Sequence, residues 1–395
     1  MSKLHDVVIT GIKRTPVGSF QGSLATVPAT ELGSIAIKAV VEDAKLTPDL
    51  IDEVIMGNVL PAGTGQAPAR QAALGAGLPD SVECLTINKV CGSGLKAVML
   101  ATQTLQTGDA QVIIAGGMEN MSRVPYLLPK ARTGYRLGHG KIIDGMVNDG
   151  LWDVYNDIHM GNCAEICATE RNYTREKQDK YARTSYERAH KAQAAGWFNA
   201  EITPVEIPQR KGEPVIIIKD EEPTRANFEK MLKLRPAFDR EGTITAANAS
   251  KINDGAGAAL LMSEEKALEL GLSPMVRIVS QASAAQAPEW FTTAPVKAIK
   301  KALDKAGMTA DQIDLWEINE AFAAVAMAAI DDYKLPIDKV NIQGGAIAIG
   351  HPIGASGIRI LATLVHAMKR IGARTGLATL CIGGGEAAAV IVEVI

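Results

Sequence analysis

An α/β fold built from two similar halves is what this sequence predicts, and two observations carry the prediction. Short apolar runs of strand length alternate with longer helical stretches, and residues from the first third of the chain recur in the same order 262 or 263 positions later.

The elements follow in order. Val7-Val8-Ile9 reads as a first strand, and Val54-Ile55-Met56 and Val112-Ile113-Ile114-Ala115 are further strand-length apolar runs. Helical stretches separate them, of which Leu95 to Leu105 is one. Ala36-Ile37-Lys38 returns as Ala298-Ile299-Lys300. Ala44, Thr47, Asp49, Ile51 and Asp52 return as Ala306, Thr309, Asp311, Ile313 and Asp314, every pair 262 residues apart. Ser93-Gly94-Leu95-Lys96 returns as Ser356-Gly357-Ile358-Arg359 at a spacing of 263, and each copy leads to a glycine-ended apolar run, Val112 to Gly117 and Leu380 to Gly384. One such match could be chance; two in the same order imply a duplication. Residues 121–251 differ in character, being richer in charge, aromatics and proline, with a helical segment from Arg175 to Gly196. A stretch of that length without structure of its own is rare in a compact protein. The division expected is therefore residues 1–120, completed by 252–271, as the first half, 121–251 as an inserted loop subdomain, and 272–395 as the second half.

Composition narrows the function. A chain of 395 residues, 47% apolar, can bury a large core, and a net charge of -3 shows no basic excess, which excludes nucleic acid and a membrane surface as expected partners. Five scattered cysteines fit a reducing compartment better than a disulfide framework, so a cytoplasmic location is expected. The start of the chain carries no secretory h-region or arginine-rich presequence, and no uninterrupted apolar stretch is long enough for a bilayer.

Chemistry concentrates in four glycine-rich or junction segments. Asn88-Lys89-Val90-Cys91-Gly92-Ser93-Gly94 sets a thiol in a tight turn ahead of a helix, where backbone N–H groups and the helix dipole favour a thiolate. Glu317-Ile318-Asn319-Glu320-Ala321-Phe322 takes a strand into an alanine-rich helix, at the position that Gly57-Asn58 holds in the first half. Gly344 to Gly357 presents His351 among glycines, and Leu380-Cys381-Ile382-Gly383-Gly384-Gly385 ends a strand with a second thiol. Two thiols, an imidazole and an asparagine can form a covalent-catalysis site. Each alone has a structural reading: a buried cysteine, a capping histidine, a glycine turn.

Taken together, Asn88 to Lys96, Ala115 to Ser122, Asn319 to Phe322, Gly344 to Gly357 and Cys381 to Gly385 resemble the thiolase family over essentially the whole chain, and most closely its acetyl-CoA C-acetyltransferase branch. The resemblance implies a five-layered αβαβα arrangement and a homotetramer. It also implies reversible condensation of two acetyl-CoA to acetoacetyl-CoA and CoA, with coenzyme A as substrate or product and neither resident cofactor nor metal. In that family pattern Cys91 is the acyl-accepting nucleophile, His351 its base, and Cys381 the acid and base at the second substrate's methyl carbon. Asn319 holds a water that, with His351, faces the enolate oxygen, while the N–H groups of Cys91 and Gly383 form a second oxyanion hole. His159-Met160-Gly161 resembles the short-chain signature, with His159 on the pantetheine arm and Met160 narrowing the acyl pocket. Ser250, within Thr245 to Ser250, and Arg225 are expected to contact coenzyme A, and Phe322 closes the substrate-binding set.

Some positions depart from the pattern. Phe291 stands where many bacterial members have Met-Gly-x-Gly-Pro, so the pocket wall is expected to differ and 2-methyl-branched substrates stay open. Trp290 beside it adds either pocket bulk or core. Gln343 replaces a commoner Asn, implying a local hydrogen-bond change, and Pro223 stands where potassium-responsive members have a tyrosine, so cation activation is not expected. His159, Cys163 and Cys167 share a helix face, but a zinc site would need a fourth ligand. Two other readings remain at this point. One is a 3-ketoacyl-CoA thiolase for longer chains, against which His159-Met160-Gly161 argues. The other is an acyl-CoA binding protein without efficient condensation, which acylation of Cys91 would separate.

Overall fold

Alternation within single strands sets the layers. The computed structural model describes residues 4–395. In β4 (Val112–Asn120), Val112 and Ile114 pack outward against α1 (Ala29–Ala44), while Ile113 and Ala115 face α3 (Ser93–Thr107) on the inner side. The strand is buried along its whole length, as expected where helices cover both faces of a sheet. The second half repeats this arrangement. In β8 (Thr375–Ile382), Ala378 and Leu380 join the inner core and Leu377 the outer one, under α6 (Ala294–Ala306) and α7 (Ala323–Tyr333).

Strand order is likewise duplicated. In the first half, β1 (Val7–Arg14) pairs antiparallel with β5 (Asn253–Ser263), β5 antiparallel with β4, and β4 parallel with β2 (Glu53–Gly57), which carries β3 (Glu83–Ile87) at its edge. In the second half, β6 (Val276–Ala285) pairs with β9 (Glu386–Glu393), β9 with β8, and β8 in parallel with β7 (Leu315–Ile318). A short pairing of β1 with β6, Val8 with Arg277 and Ile9 with Val276, joins the two into one hydrogen-bonded surface. α3 and α8 (Ser356–Ile371) lie between them in one apolar core, which gives the αβαβα layers.

One repeated pair does the same work in both copies. The Asp52 carboxylate accepts N–H bonds from Gln111 and Val112 at the start of β4, and Asp314 accepts them from Arg374 and Thr375 at the start of β8. Each ties the end of one βα unit to the strand that follows its inner helix.

The polypeptide between β4 and β5 holds α4 (Met160–Glu170) and α5 (Arg175–Ala194), with several short strands and turns. It is bound to the body through a buried arginine. Arg14 at the end of β1 donates to Glu201 at 2.6 Å and to both oxygens of Asp220 at 2.7 and 2.8 Å. Among the described residues no helix is long and apolar enough to cross a membrane.

Candidate active site

The two inner helices begin side by side, and this brings the reactive segments together. A Cβ on Gly357 would fall 2.1 Å from the Leu95 backbone nitrogen, and one on Gly94 would fall 2.9 Å from that of Ile358. Only glycine lets α3 and α8 approach this closely at their first turns, so the turn before each helix faces a common space. One turn carries Cys91 and the other His351.

The Cys91 turn is held in a conformation side chains seldom adopt. Val90 has φ of +46°, costly for a β-branched residue, and the turn is fixed by Ser93, whose Oγ accepts from the Lys89 N–H and donates to the Val90 carbonyl. Burial pushes the Cys91 thiol up to about 11 and Glu119 adds to the rise, while the backbone N–H groups of Gly383 and Cys91 pull the other way. The sequence placed this thiol where a helix terminus should lower it; in the structure desolvation outweighs the pull of the two N–H groups.

His351 is buried, and its tautomer follows from its neighbours. Ser356 Oγ donates to the Pro352 carbonyl at 2.8 Å, so at 2.5 Å it accepts from His351 Nδ1–H. Nε2 is then the bare, basic nitrogen, and Asn319 Nδ2 approaches it at 3.4 Å. Asn319 is fixed in that sense because its Oδ1 accepts from Arg359 at 3.3 Å, and Arg359 lies 3.6 Å from buried Glu317. Burial, and after it the Arg359 charge, hold the imidazole down at about 3, so it rests neutral. The Ser356→Ala variant should leave the ring N–H unpartnered, a cost of about 1–3 kcal/mol. If the bond matters to proton transfer, kcat should fall about 10- to 100-fold with KM little changed, which steady-state kinetics will read.

Cys381, the last residue but one of β8, is fully buried and raised well above an ordinary thiol, by burial first and then by the Cys91 charge. It packs with Met160, Phe291 and Phe322. Burial therefore raises both thiols of the site.

In front of these groups is a cavity of about 550 Å³, large enough for a ligand arm of some length. Cys91, His351, Gly383, His159, Met160, Ser250, Arg225, Phe291 and Phe322 all line it. Asn319 and Cys381 lie behind this wall, touching His351 and the aromatic cluster respectively. His159 caps α4, its Nδ1 accepting from the Gly161 N–H at 3.0 Å, and stacks on Phe238 at 4.8 Å, which leaves Nε2 to donate. Phe291 is buried edge-on to Phe322. Trp290 turns instead towards the core around Cys167 and Ala324. Arg225 is largely exposed, 3.6 Å from Glu221. Gln343 accepts from Arg370 and does not face the cavity.

Sequence reasoning missed several residues. Glu119 accepts from Asn58, from the N–H groups of Val59 and Leu60, and from Gly354 N–H at 2.9 Å, binding the first half to the His351 loop. Phe238, Arg359, Ser356 and Lys251 were missed too; of these Ser356 and Arg359, as the repeats of Ser93 and Lys96, carried a signal in the sequence. Among the described residues no three His, Cys, Asp or Glu side chains are placed to hold a metal ion.

Comparison with known proteins places this arrangement in context. Residues 7–265 match the model of the thiolase N-terminal domain, and residues 272–394 that of the thiolase C-terminal domain. Acetyl-CoA acetyltransferase of Cupriavidus necator is 56% identical over 99% of this chain and 100% of its own length. Acetyl-CoA acetyltransferase 2 of Arabidopsis thaliana is 53% identical over 99% of this chain and 98% of its own. The crystal structure of the Bacillus anthracis acetyl-CoA acetyltransferase superposes with a TM-score of 0.97 at 41% identity, covering both chains completely.

Proposed function

The chain belongs to the thiolase family, and from that premise we propose that it is an acetyl-CoA C-acetyltransferase working through an acetyl group on Cys91. The observation that carries the reading is the meeting of Cys91, Gly383 and neutral His351 in the wall of one cavity, with Cys381 behind it.

In the first half-reaction His351 Nε2 takes the Cys91 proton and the thiolate attacks the acetyl-CoA carbonyl. The oxyanion falls to the N–H groups of Cys91 and Gly383, and CoA leaves as the thiol with the proton from His351. In the second, Cys381 gives its proton to His351 Nε2 and, as thiolate, takes one from the methyl of another acetyl-CoA. The enolate oxygen is met by the His351 Nε2–H so formed and by a water on Asn319, and its carbon attacks the Cys91 thioester. Acetoacetyl-CoA departs, Cys381 keeps the methyl proton, and His351 returns its proton to the Cys91 thiolate, which restores the resting site. A raised thiol suits this role in one respect: the weaker the acid, the stronger the base once the proton is gone. In the thiolytic direction the neutral Cys381 supplies the proton instead.

The outer cavity fits the carrier. His159 Nε2 would meet the pantetheine arm, Ser250 the CoA and Arg225 its adenine or phosphate end, while Met160, Phe291 and Phe322 would close around a short acyl group; all six line the cavity. The residues between β4 and β5 supply most of this wall, which fits an inserted subdomain that binds CoA. With the activity go a cytoplasmic location and a homotetramer, the latter tested by light scattering.

Thiolytic cleavage of acetoacetyl-CoA, 2-methylacetoacetyl-CoA and a longer 3-ketoacyl-CoA tests the reading and measures what Phe291 does. Acetoacetyl-CoA should be cleaved with a kcat/KM at least about tenfold above the long substrate, because one methylene too many in a closed pocket costs about that much. Preference for the long chain would replace the reading with a degradative one.

A further inference from the structure

Lys251 is the cation of the cavity wall that the reaction leaves unused. Its amine donates to the Tyr186 hydroxyl at 2.8 Å, to the Ala249 carbonyl at 3.1 Å and to the Ile347 carbonyl at 3.4 Å, and it sits 5.5 Å from the Tyr186 ring centroid. Among the described residues no carboxylate lies within ion-pair distance of it. A cation in a nest of three uncharged oxygens is an unusual way to place a lysine, since a buried ammonium is normally paired.

The owners of those oxygens give the arrangement its sense. Tyr186 belongs to α5, Ala249 precedes Ser250 in the cavity wall, and Ile347 lies in the short helix Ala346–Ile349 that runs into Gly350 and His351. We propose that Lys251 is a positioning residue, an internal cation that holds the Ala249–Ser250 wall, α5 and the approach to His351 in one register for binding the CoA thioester. The inference rests on the thiolase reading above. His351 keeps its own supports in Asn253, which accepts its backbone N–H, and Ser356, so losing the cation should reach binding before chemistry. Burial lowers the amine to about 8, against the opposing charges of Glu222 in the same wall and Glu320 after β7; Tyr186 is the remaining titratable group that faces it.

Two variants test the clamp. Lys251→Met should raise KM for acetoacetyl-CoA about tenfold with kcat changed less than about threefold, the size expected for hydrogen bonds from one charged group. Lys251→Gly should show the same loss and leave a space lined by the three oxygens. Ammonium chloride at tens of millimolar should then restore KM to within about twofold, while tetramethylammonium chloride at equal ionic strength, too large and without N–H, should not. Unchanged KM in both variants, or equal restoration by both salts, overturns the inference. Should Lys251→Gly not fold, the pH profile decides: wild-type KM should climb above about pH 8 as the amine loses its proton, and that climb should be missing in Lys251→Met. A climb of equal size in both overturns it. If the wild type itself cleaves none of the CoA substrates, the functional reading has failed instead. Thermal denaturation of Lys251→Gly in the two salts then tests the clamp alone, with stabilisation by ammonium only as the expected result and equal curves overturning it.

Discussion

Cys91→Ala should lower thiolysis of acetoacetyl-CoA by at least about 10⁴-fold, and mass spectrometry after incubation with acetyl-CoA should find the chain unmodified where the wild type gains one acetyl group. The side chain is small and only partly buried, so its removal opens little space, and thermal denaturation should change by no more than a few degrees. The loss is therefore readable as chemistry. Retention of activity would move the nucleophile elsewhere, and an acetyl group found on Cys381 instead would exchange the roles of the two thiols.

The proton inventory adds a second readout to the same experiment. With the thiol pushed up to about 11 and the imidazole held down at about 3, the resting pair is neutral on both partners, and the proton that Cys91 gives up stays within the site. Two groups that exchange one proton titrate as a pair. An exposed thiol would become more reactive as pH rises towards about 8.5. Acetylation of Cys91 should instead be nearly level between about pH 6 and 9, because neither group changes charge alone in that range. A steep rise through pH 8 would show that the thiolate forms by loss of a proton to solvent and would remove His351 as the partner.

What could be read from the sequence and what could not divide along a physical line. Strands and helices were legible because period and length are local, and the duplication was legible because its residues keep their spacing; Asp52 and Asp314 even make matching bonds. The reactive segments stood out because a thiol or imidazole among glycines is uncommon. The supports beneath them were hidden. Glu119 meets Gly354 across 235 positions, and Lys251 meets Ile347 across 96, and nothing in either residue's neighbourhood announces the partner. Charge state was hidden for the same reason. Helix position argued for a lowered Cys91, but desolvation depends on every segment packed around the sulfur, and it prevailed.

Cys381→Ser separates the two half-reactions, and the effect on one of them should be nearly as large as losing Cys91. The acyl transfer to Cys91 uses His351 and two backbone N–H groups, none of which changes, so exchange of labelled CoA into acetyl-CoA should stay within about tenfold of wild type. Condensation and thiolysis should fall by about 10³-fold or more, since general acid and base catalysis of this kind is worth about 10²–10⁴ and a hydroxyl is a far weaker acid than a thiol. Steric effects are a poor alternative explanation for such a split, because serine is smaller than cysteine and this position is walled by Met160, Phe291 and Phe322. A collapsed pocket would depress both half-reactions together. Equal loss of exchange and condensation would mean that Cys381 supports the nucleophile and does not handle the carbon acid. Retained condensation would transfer the proton to His351, the basic group already at the cavity wall. The raised thiol thus yields a prediction in both directions of the reaction: scarce as a base at rest, strong once formed, and ready as an acid when acetoacetyl-CoA is cleaved.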